Sequence, residues 1–380
     1  MSWKKAKLSE CCQSISDGDH QAPPKSNKGI PFVTISNIKD NSFDFTNCMH
    51  VPQSYYDNLL AKRKPQKGDI LYSVVGSFGI PVLMKENVKF TFQRHIAILR
   101  PNPHIVEPAY MYYSMLSKAF FLQADAAAIG AAQRTISLSS LQNLTINLPD
   151  LPTQRRIASI LSAYDDLIEN NRRQIKLLEE AAQRLYREWF VELRFPGHEG
   201  VKVVDGVPEG WMKVCLKDIC ETKTGKKDAN FGCDDGAYPF FTCAQAPIKA
   251  PSYSFDCSAV ILAGNGDFNV KLYRGKFEAY QRTYVLSPAN TEYLFLLYNA
   301  VSRNMNVLTK GASGSTIKFL TKGMIDSIEL LIPSSQLLTT YNQNSEALQK
   351  SIEALHRKVA LAVEARDRLL PKLMNSEMEI

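Results

Sequence analysis

The amino-acid sequence predicts an α/β chain. Two strand-rich domains are each followed by a long helix, the helices pair as an antiparallel coiled coil, and the halves form a pseudo-two-fold internal repeat. Three observations predict it. Short motifs of the first half return in the same order in the second. The first part of each half consists of β-branched and aromatic runs punctuated by Gly and Pro. The last part carries apolar residues at a seven-residue step.

The repeat is read from three echoes. "SWKKAKLSECCQ" is answered by "GWMKVCLKDICE", with Trp3 and Leu8 against Trp211 and Leu216. "FQRHIAILRP" is answered by "YQRTYVLSP", with Gln93-Arg94 against Gln281-Arg282. The stretch from Gly130 is answered by the stretch from Gly311, which sets Thr135-Ile136 against Thr316-Ile317. The order is kept while the offset drifts, as insertions and deletions in loops produce. The pattern is that of a tandem duplication with diverged interiors.

In the first half, "GIPFVTISNI" and "GDILYSVVGSFGIPVLM" read as strands, as does "SAVILAGNGDFNVKLYRGKFEAYQRTYVLS" in the second. Short helices are expected at Pro108 to Phe121 and at Thr291 to Asn304. After Leu151-Pro152, Thr153 is the expected N-cap of a long helix. That helix is expected to reach Leu193 and to stop at Pro196-Gly197. At about 1.5 Å per residue its 40 or so residues span roughly 60 Å, far more than a domain core requires.

The seven-residue steps define the expected pairing faces. In the first helix Leu161, Ile168, Ile175, Ala182 and Trp189 interleave with Ile157, Tyr164, Asn171, Leu178 and Leu185. In the second, Tyr341, Leu348, Leu355, Ala362 and Leu369 interleave with Ser345, Ile352, Val359, Arg366 and Leu373. Asn171 and Arg366 place a polar group in each seam, a device that fixes register at some cost in stability. The expected boundaries are residues 1–150 for the first domain, 151–196 for the first long helix, 197–333 for the second domain, and 334–380 for the second helix and tail. Two separate amphipathic helices, each packed on its own domain, remain the alternative.

Apolar residues make up 45% of the 380 and charged residues 22%, enough to build real cores. The net charge of +7 suits a nucleic-acid partner without requiring one. No apolar run approaches the ~20 residues that span a bilayer. The basic N-terminus is not followed by a signal-type apolar segment. The eight cysteines form no C-x-x-C pair, so free thiols and a cytoplasmic location are expected, with no metal site.

Catalytic signatures are missing. "NLPDLP" lacks the Pro-Pro and the aromatic of the adenine methyltransferase motif. "TKTGKK" has Cys220 where a P-loop needs its first Gly. Binding chemistry is better represented, because the polar loops carry the side chains that read base edges. The candidates in the first half are Lys25, Lys28, Ser73, Ser77, Gln93, Arg94, Gln133 and Arg134. Those in the second are Lys223, Lys226, Lys227, Asn265, Asn269, Lys271, Arg274, Gln281, Arg282, Lys310, Ser313, Ser315 and Lys318.

Several segments resemble the specificity subunits of type I restriction-modification enzymes. "LPTQRRIASILSAYDDLIENNRRQI" and "AQRLYREWFVELRFPGHE" look like the two ends of that family's first long helix, and "ARDRLLPKLMNSEMEI" like its closing segment. "KGDILYSVVGSFG" and "AVILAGNGDFNVKLYRGKFEAYQ" resemble its target recognition domains. The second helix departs from the family's Leu-Pro-x-x-x-Gln opening with "IPSSQLL". The resemblance implies that each domain reads one half of a bipartite site in double-stranded DNA and that the helices set the unread spacer. It implies two docked methyltransferase subunits, which carry S-adenosylmethionine and the catalytic motif, so this chain needs no cofactor. Motor and nuclease subunits complete the implied complex. A fragment of a fused methyltransferase-nuclease enzyme and a coiled-coil protein-binding scaffold are the competing readings.

Overall fold

The computed structural model describes residues 3–130, 134–312 and 318–375. It is a mixed α/β chain that divides into two units, residues 1–171 with 357–380, and residues 172–356. The first unit is built from two stretches of sequence and the second from one, and each long helix contributes to both. No described helix is long and apolar enough to cross a membrane.

In the first unit, Lys4–Lys7 pairs antiparallel with Thr145–Leu148. A four-stranded sheet runs in the order Cys12–Asp17, Ile96–Pro101, Ile70–Ser73, Pro81–Leu83. A three-stranded sheet follows in the order Met49–Val51, Ile30–Val33, Thr91–Phe92, its last pair parallel. The strands Ile70–Ser73 and Ile96–Pro101 are near-continuous apolar runs because both of their faces are covered. Ile70, Tyr72, Ala97 and Leu99 face a core that includes Tyr110, Met111 and Phe120. Leu71, Ile96 and Ile98 face Val33, Phe90 and Phe92 on the other side.

The second unit repeats the plan. Met212–Cys215 pairs with Glu329–Ile332. A six-stranded sheet runs Cys220–Thr224, Thr283–Pro288, Phe255–Ala263, Val270–Ala279, Tyr238–Phe241, Ile248–Ala250. Val260, Leu262 and Leu286 face the helix Leu294–Gly311, while Ala259, Ile261 and Val285 face Phe241 and Phe277. Val270–Ala279 is one unbroken strand of ten residues where the first unit has Pro81–Leu83 and then Thr91–Phe92. That continuity fuses into one sheet what the first unit keeps as two.

Local boundaries differ from the sequence reading in four places. The first long helix, Leu151–Phe190, is capped by Asp150 rather than Thr153. The Asp150 carboxylate accepts from the Thr153 N–H at 3.0 Å, which leaves Thr153 inside the first turn and holds the carboxyl below its ordinary pKa. The same helix ends three residues before Leu193, which adopts a left-handed φ of 55°. The expected helix at Pro108 to Phe121 is two helices, Pro108–Leu116 and Lys118–Ala127, divided at Ser117, whose Oγ accepts from the Phe120 N–H. Its counterpart is a 3-10 turn, Thr291–Tyr293, leading into Leu294–Gly311.

Within each unit the two long helices, Leu151–Phe190 and Ser335–Met374, pack against each other in opposite directions. In the first unit Ile157 and Leu161 share a core with Leu373 and Met374, and farther along Arg366 Nη1 donates to Asp165 Oδ1 at 2.7 Å. In the second, Tyr341 meets the Phe190 ring edge-on at 4.8 Å. Leu161, Ile168, Asn171, Ile175, Ile352 and Leu355 are buried. Leu178, Leu185, Leu348, Val359 and Arg366 are half-buried. Full burial of such a Leu or Ile stabilises by about 1.5–3 kcal/mol.

Each unit also ties three helices with polar groups. Tyr113 Oη donates to Asp165 Oδ2 at 2.6 Å beside Arg366. Gln183 Nε2 donates to Asn299 Oδ1 at 2.8 Å, and Asn299 Nδ2 donates to the buried Tyr341 Oη at 2.9 Å. Tyr341→Phe removes that acceptor and strands an N–H of the buried Asn299. A loss of about 1–3 kcal/mol is predicted, read as a lower urea midpoint for the second unit; an unchanged midpoint refutes the role.

Candidate nucleic-acid interface

In both units the polar loops meet at one end of the sheet, and the backbone does the joining. The Arg94 N–H donates to Asp19 O at 3.0 Å and the Val74 N–H to His95 O at 2.9 Å. The Ile136 N–H donates to Val74 O and the Gly76 N–H to Arg134 O. The second unit writes the same bonds with Gln281 to Lys227 O, Gly264 to Arg282 O and Leu320 to Gly264 O. Val75 bridges Thr135 just as Asn265 bridges Phe319, and Gly76 and Gly266 both hold left-handed φ angles, 70° and 66°.

This equivalence corrects two alignments. Arg94 corresponds to Gln281 and His95 to Arg282, so the Gln-Arg echo is displaced by one residue. Thr135-Ile136 corresponds to Phe319-Leu320, because Ser137 and Thr321 cap the two helices that follow. Thr316-Ile317, the match by letters, lies outside the described residues, as do Gln133, Ser313 and Ser315.

Glycine makes the junction possible. A Cβ on Gly18 would lie 2.1 Å from Phe92 O, and one on Gly225 would lie 2.0 Å from Ala279 O. The Gly18-Asp19 segment is thereby held against the turn that carries Arg94, and the Gly225 to Lys227 segment against the turn that carries Arg282, while Lys25 and Lys28 flank Ser26, which bridges His50.

The candidate side chains divide by what already holds them. Lys25, Lys28, Ser77, Arg94, Lys226, Arg282, Lys310 and Lys318 are exposed. Gln93 is half-buried in its turn. Arg134 pairs with Asp125 at 2.5 Å and lies over the Phe78 ring, which stacks on Phe121. Lys223 pairs with Glu221, Lys227 sits 4.4 Å from the Phe231 ring, and Gln281 donates to Asp228. In the second unit the Cys243 thiol donates to Asn265 Oδ1 at 2.9 Å, and Asn269 Nδ2 donates to Cys243 O at 2.9 Å. Lys271 Nζ donates to Ala244 O and to Asn269 Oδ1, and burial lowers its pKa.

Two candidates are overturned. Ser73 is fully buried and its Oγ accepts from the Ile80 N–H, so it supports the hairpin from inside. Arg274 faces the second long helix, where both its Nη atoms donate to Glu346 at 3.1 and 2.8 Å. Cys243 and Gln245 were not anticipated. They reach the Asn265 to Lys271 hairpin through tertiary packing from a separate loop, and no local spacing signals them. Among the described residues no His, Cys, Asp and Glu cluster is suited to a metal ion.

The exposed guanidiniums of Arg94 and Arg282 can make two parallel hydrogen bonds to a base edge or a phosphate. The close approach at Gly225 is directly testable. Gly225→Ala should free the Gln281 N–H from Lys227 O and accelerate its hydrogen exchange, leaving the Arg94 amide protected. Unchanged exchange at Gln281 would show that the loop does not depend on that approach.

The family model for the type I restriction modification DNA specificity domain matches this chain twice, at residues 2–180 and 208–364. The EcoDI specificity subunit of Escherichia coli is 38% identical over 178 residues, 45% of this chain. That alignment spans only 39% of the relative's length. The MjaIX specificity subunit of Methanocaldococcus jannaschii is 23% identical over 83% of this chain and 78% of its own. A crystal structure of the type I restriction-modification S subunit from M. genitalium shares the fold, with a TM-score of 0.62 at 17% identity over 98% of this chain and 96% of that one. This chain belongs to the family of type I restriction-modification DNA specificity proteins.

Proposed function

We propose that this chain is the DNA sequence-specificity subunit of a type I restriction-modification system, with each unit reading one half of a bipartite double-stranded site. The observation that carries the reading is the twice-built loop junction, which presents an exposed arginine on the same turn in each unit, Arg94 in one and Arg282 in the other. The two long helices form an antiparallel coiled coil that sets the unread spacer. Two methyltransferase subunits dock on the chain and supply S-adenosylmethionine and the chemistry. Motor and nuclease subunits complete the restriction complex. The working location is the cytoplasm. The net charge of +7 favours the phosphate backbone, whose contribution falls steeply with salt.

The chain itself performs no catalysis in this account. Incubated alone with labelled S-adenosylmethionine and DNA, it should transfer no label; transfer would contradict the assignment. In cells carrying the methyltransferase partner, Arg94→Ala should weaken recognition of one half-site by about 1–3 kcal/mol, and Arg282→Ala the other. Mapping the methylated motif reads both. A uniform loss on all DNA with a shallower salt slope would make either residue a phosphate contact instead.

A further inference from the structure

The duplicated junction allows the rest of each unit to be compared position by position, and one ion pair recurs. Gly76 and Gly266 occupy the same place in the hairpin turn. Six residues before them stand Ile70 and Val260, which pair across the hairpin with Leu83 and Leu272. Two residues beyond those partners stand Lys85 and Arg274. Both are cations, and both reach the long helix that begins in their own unit.

Lys85 Nζ lies 3.1 Å from Asp166 Oδ1 and 3.1 Å from Glu169 Oε2. Arg274 makes a two-pronged pair with Glu346 and stacks over the Phe295 ring at 5.1 Å. Asp150 and Ser334 each immediately precede a long helix. Counted from them, Glu346 corresponds to Ser162, so Asp166 and Glu169 lie about one and two turns farther along the same face. Glu353, the counterpart of Glu169, also acts electrostatically on Arg274. The loops around the pairs have diverged, and the cation itself has changed from Lys to Arg. The connection is the same.

We propose that Lys85 and Arg274 are positioning residues that pin each reading hairpin to its helix and so fix the angle at which the loop junction meets DNA. Exposed ion pairs contribute little to stability, and Lys85 is 53% exposed with Asp166 at 69%. The Lys85 pin therefore acts on orientation rather than on folding, while the two-pronged Arg274 pair, at 38% and 32% exposure, can do both. A hairpin that pivots on its helix carries its reading edge with it, so loss of a pin blurs the distance between the half-sites. This last step rests on the function proposed above; the pin itself does not.

The test uses the full chain with non-cysteine spin labels at Asp267 and Ser351 in the second unit. The parent should give a narrow distance distribution, Arg274→Glu a broad one at temperatures well below its melting transition, and Arg274→Glu with Glu346→Arg a narrow one again. A distribution as narrow in Arg274→Glu as in the parent, or no narrowing in the exchanged pair, overturns the pin. Labels at Ser77 and Ser159 with Lys85→Glu, then with Asp166→Lys and Glu169→Lys, decide the same question in the first unit, where the more exposed pair leaves the core untouched. In the methyltransferase complex each single variant should methylate sites whose spacer differs by one base pair, and the exchanged variant should not. A complex whose parent shows no site preference refutes the DNA-reading function, and the label distances then decide the pin alone.

Discussion

Each unit depends on apolar packing between segments of the two 40-residue helices, Ile157 and Leu161 with Leu373 in the first and Trp189 and Phe190 with Tyr341 in the second. Because the seam repeats every seven residues, each unit borrows a segment of the helix that begins in the other half of the sequence. Leu373 and Met374 complete a core whose other buried residues lie between Ala6 and Leu161. Trp189 and Phe190, at the end of the helix that begins in the first half, do the same for the second unit, closing on Tyr341. Polar groups sit where the helices meet the domains, Asp165 with Arg366 and Gln183 with Asn299 and Tyr341. These groups add geometric definition to a seam that apolar burial stabilises.

Duplication preserved the backbone framework more faithfully than the side chains. The bonds that join three loops into one edge are the same in both units, and so are the glycines that permit their approach. On that shared frame the chemistry has separated. The first unit presents Arg94 and clamps Arg134 between Asp125 and Phe78. The second gathers Asn265, Asn269, Lys271 and Cys243 into a hydrogen-bonded patch around the hairpin. Two edges of one construction with different donors and acceptors are what reading two unlike half-sites would require. The cations that reach the long helices kept their place, while their carboxylate partners shifted along the helix and the side chains at the edge changed.

The strand-rich character of both halves and the long helices with their buried faces were legible in the sequence because their signals are periodic and long. Leu161, Ile168 and Ile175 announce a buried face by their regular step, and all three are buried. Local ends were harder. Asp150 and Thr153 are both good caps, and only the Pro152 ring inside the first turn favours the earlier one. Ser117 divides a helix that its neighbours would continue. The alignment of the halves by letters slipped by one residue at Arg94 and by three at Thr135, since loops shift letters while backbone bonds stay fixed. At the candidate interface, composition singled out loops that the structure brings together at one end of each sheet, but not what holds each side chain. Ser73 and Arg274 carry the same letters as a surface contact would, and only the pleat of the strand decides that one faces the core and the other a helix.

On the proposed function, the shared helices measure the spacer between two independently read half-sites. A matched insertion of seven residues after Asn171 and after His356 preserves the seam's step on both helices and leaves both cores intact. At about 1.5 Å per residue it adds roughly 10 Å, or about three base-pair steps of 3.4 Å. Mapping of the methylated motif in cells carrying the methyltransferase partner reads the outcome. Unchanged half-sites separated by a spacer about three base pairs longer are predicted. An unchanged spacer in a protein that still methylates both half-sites would contradict the account, because the reading edges would then be set apart by something other than helix length.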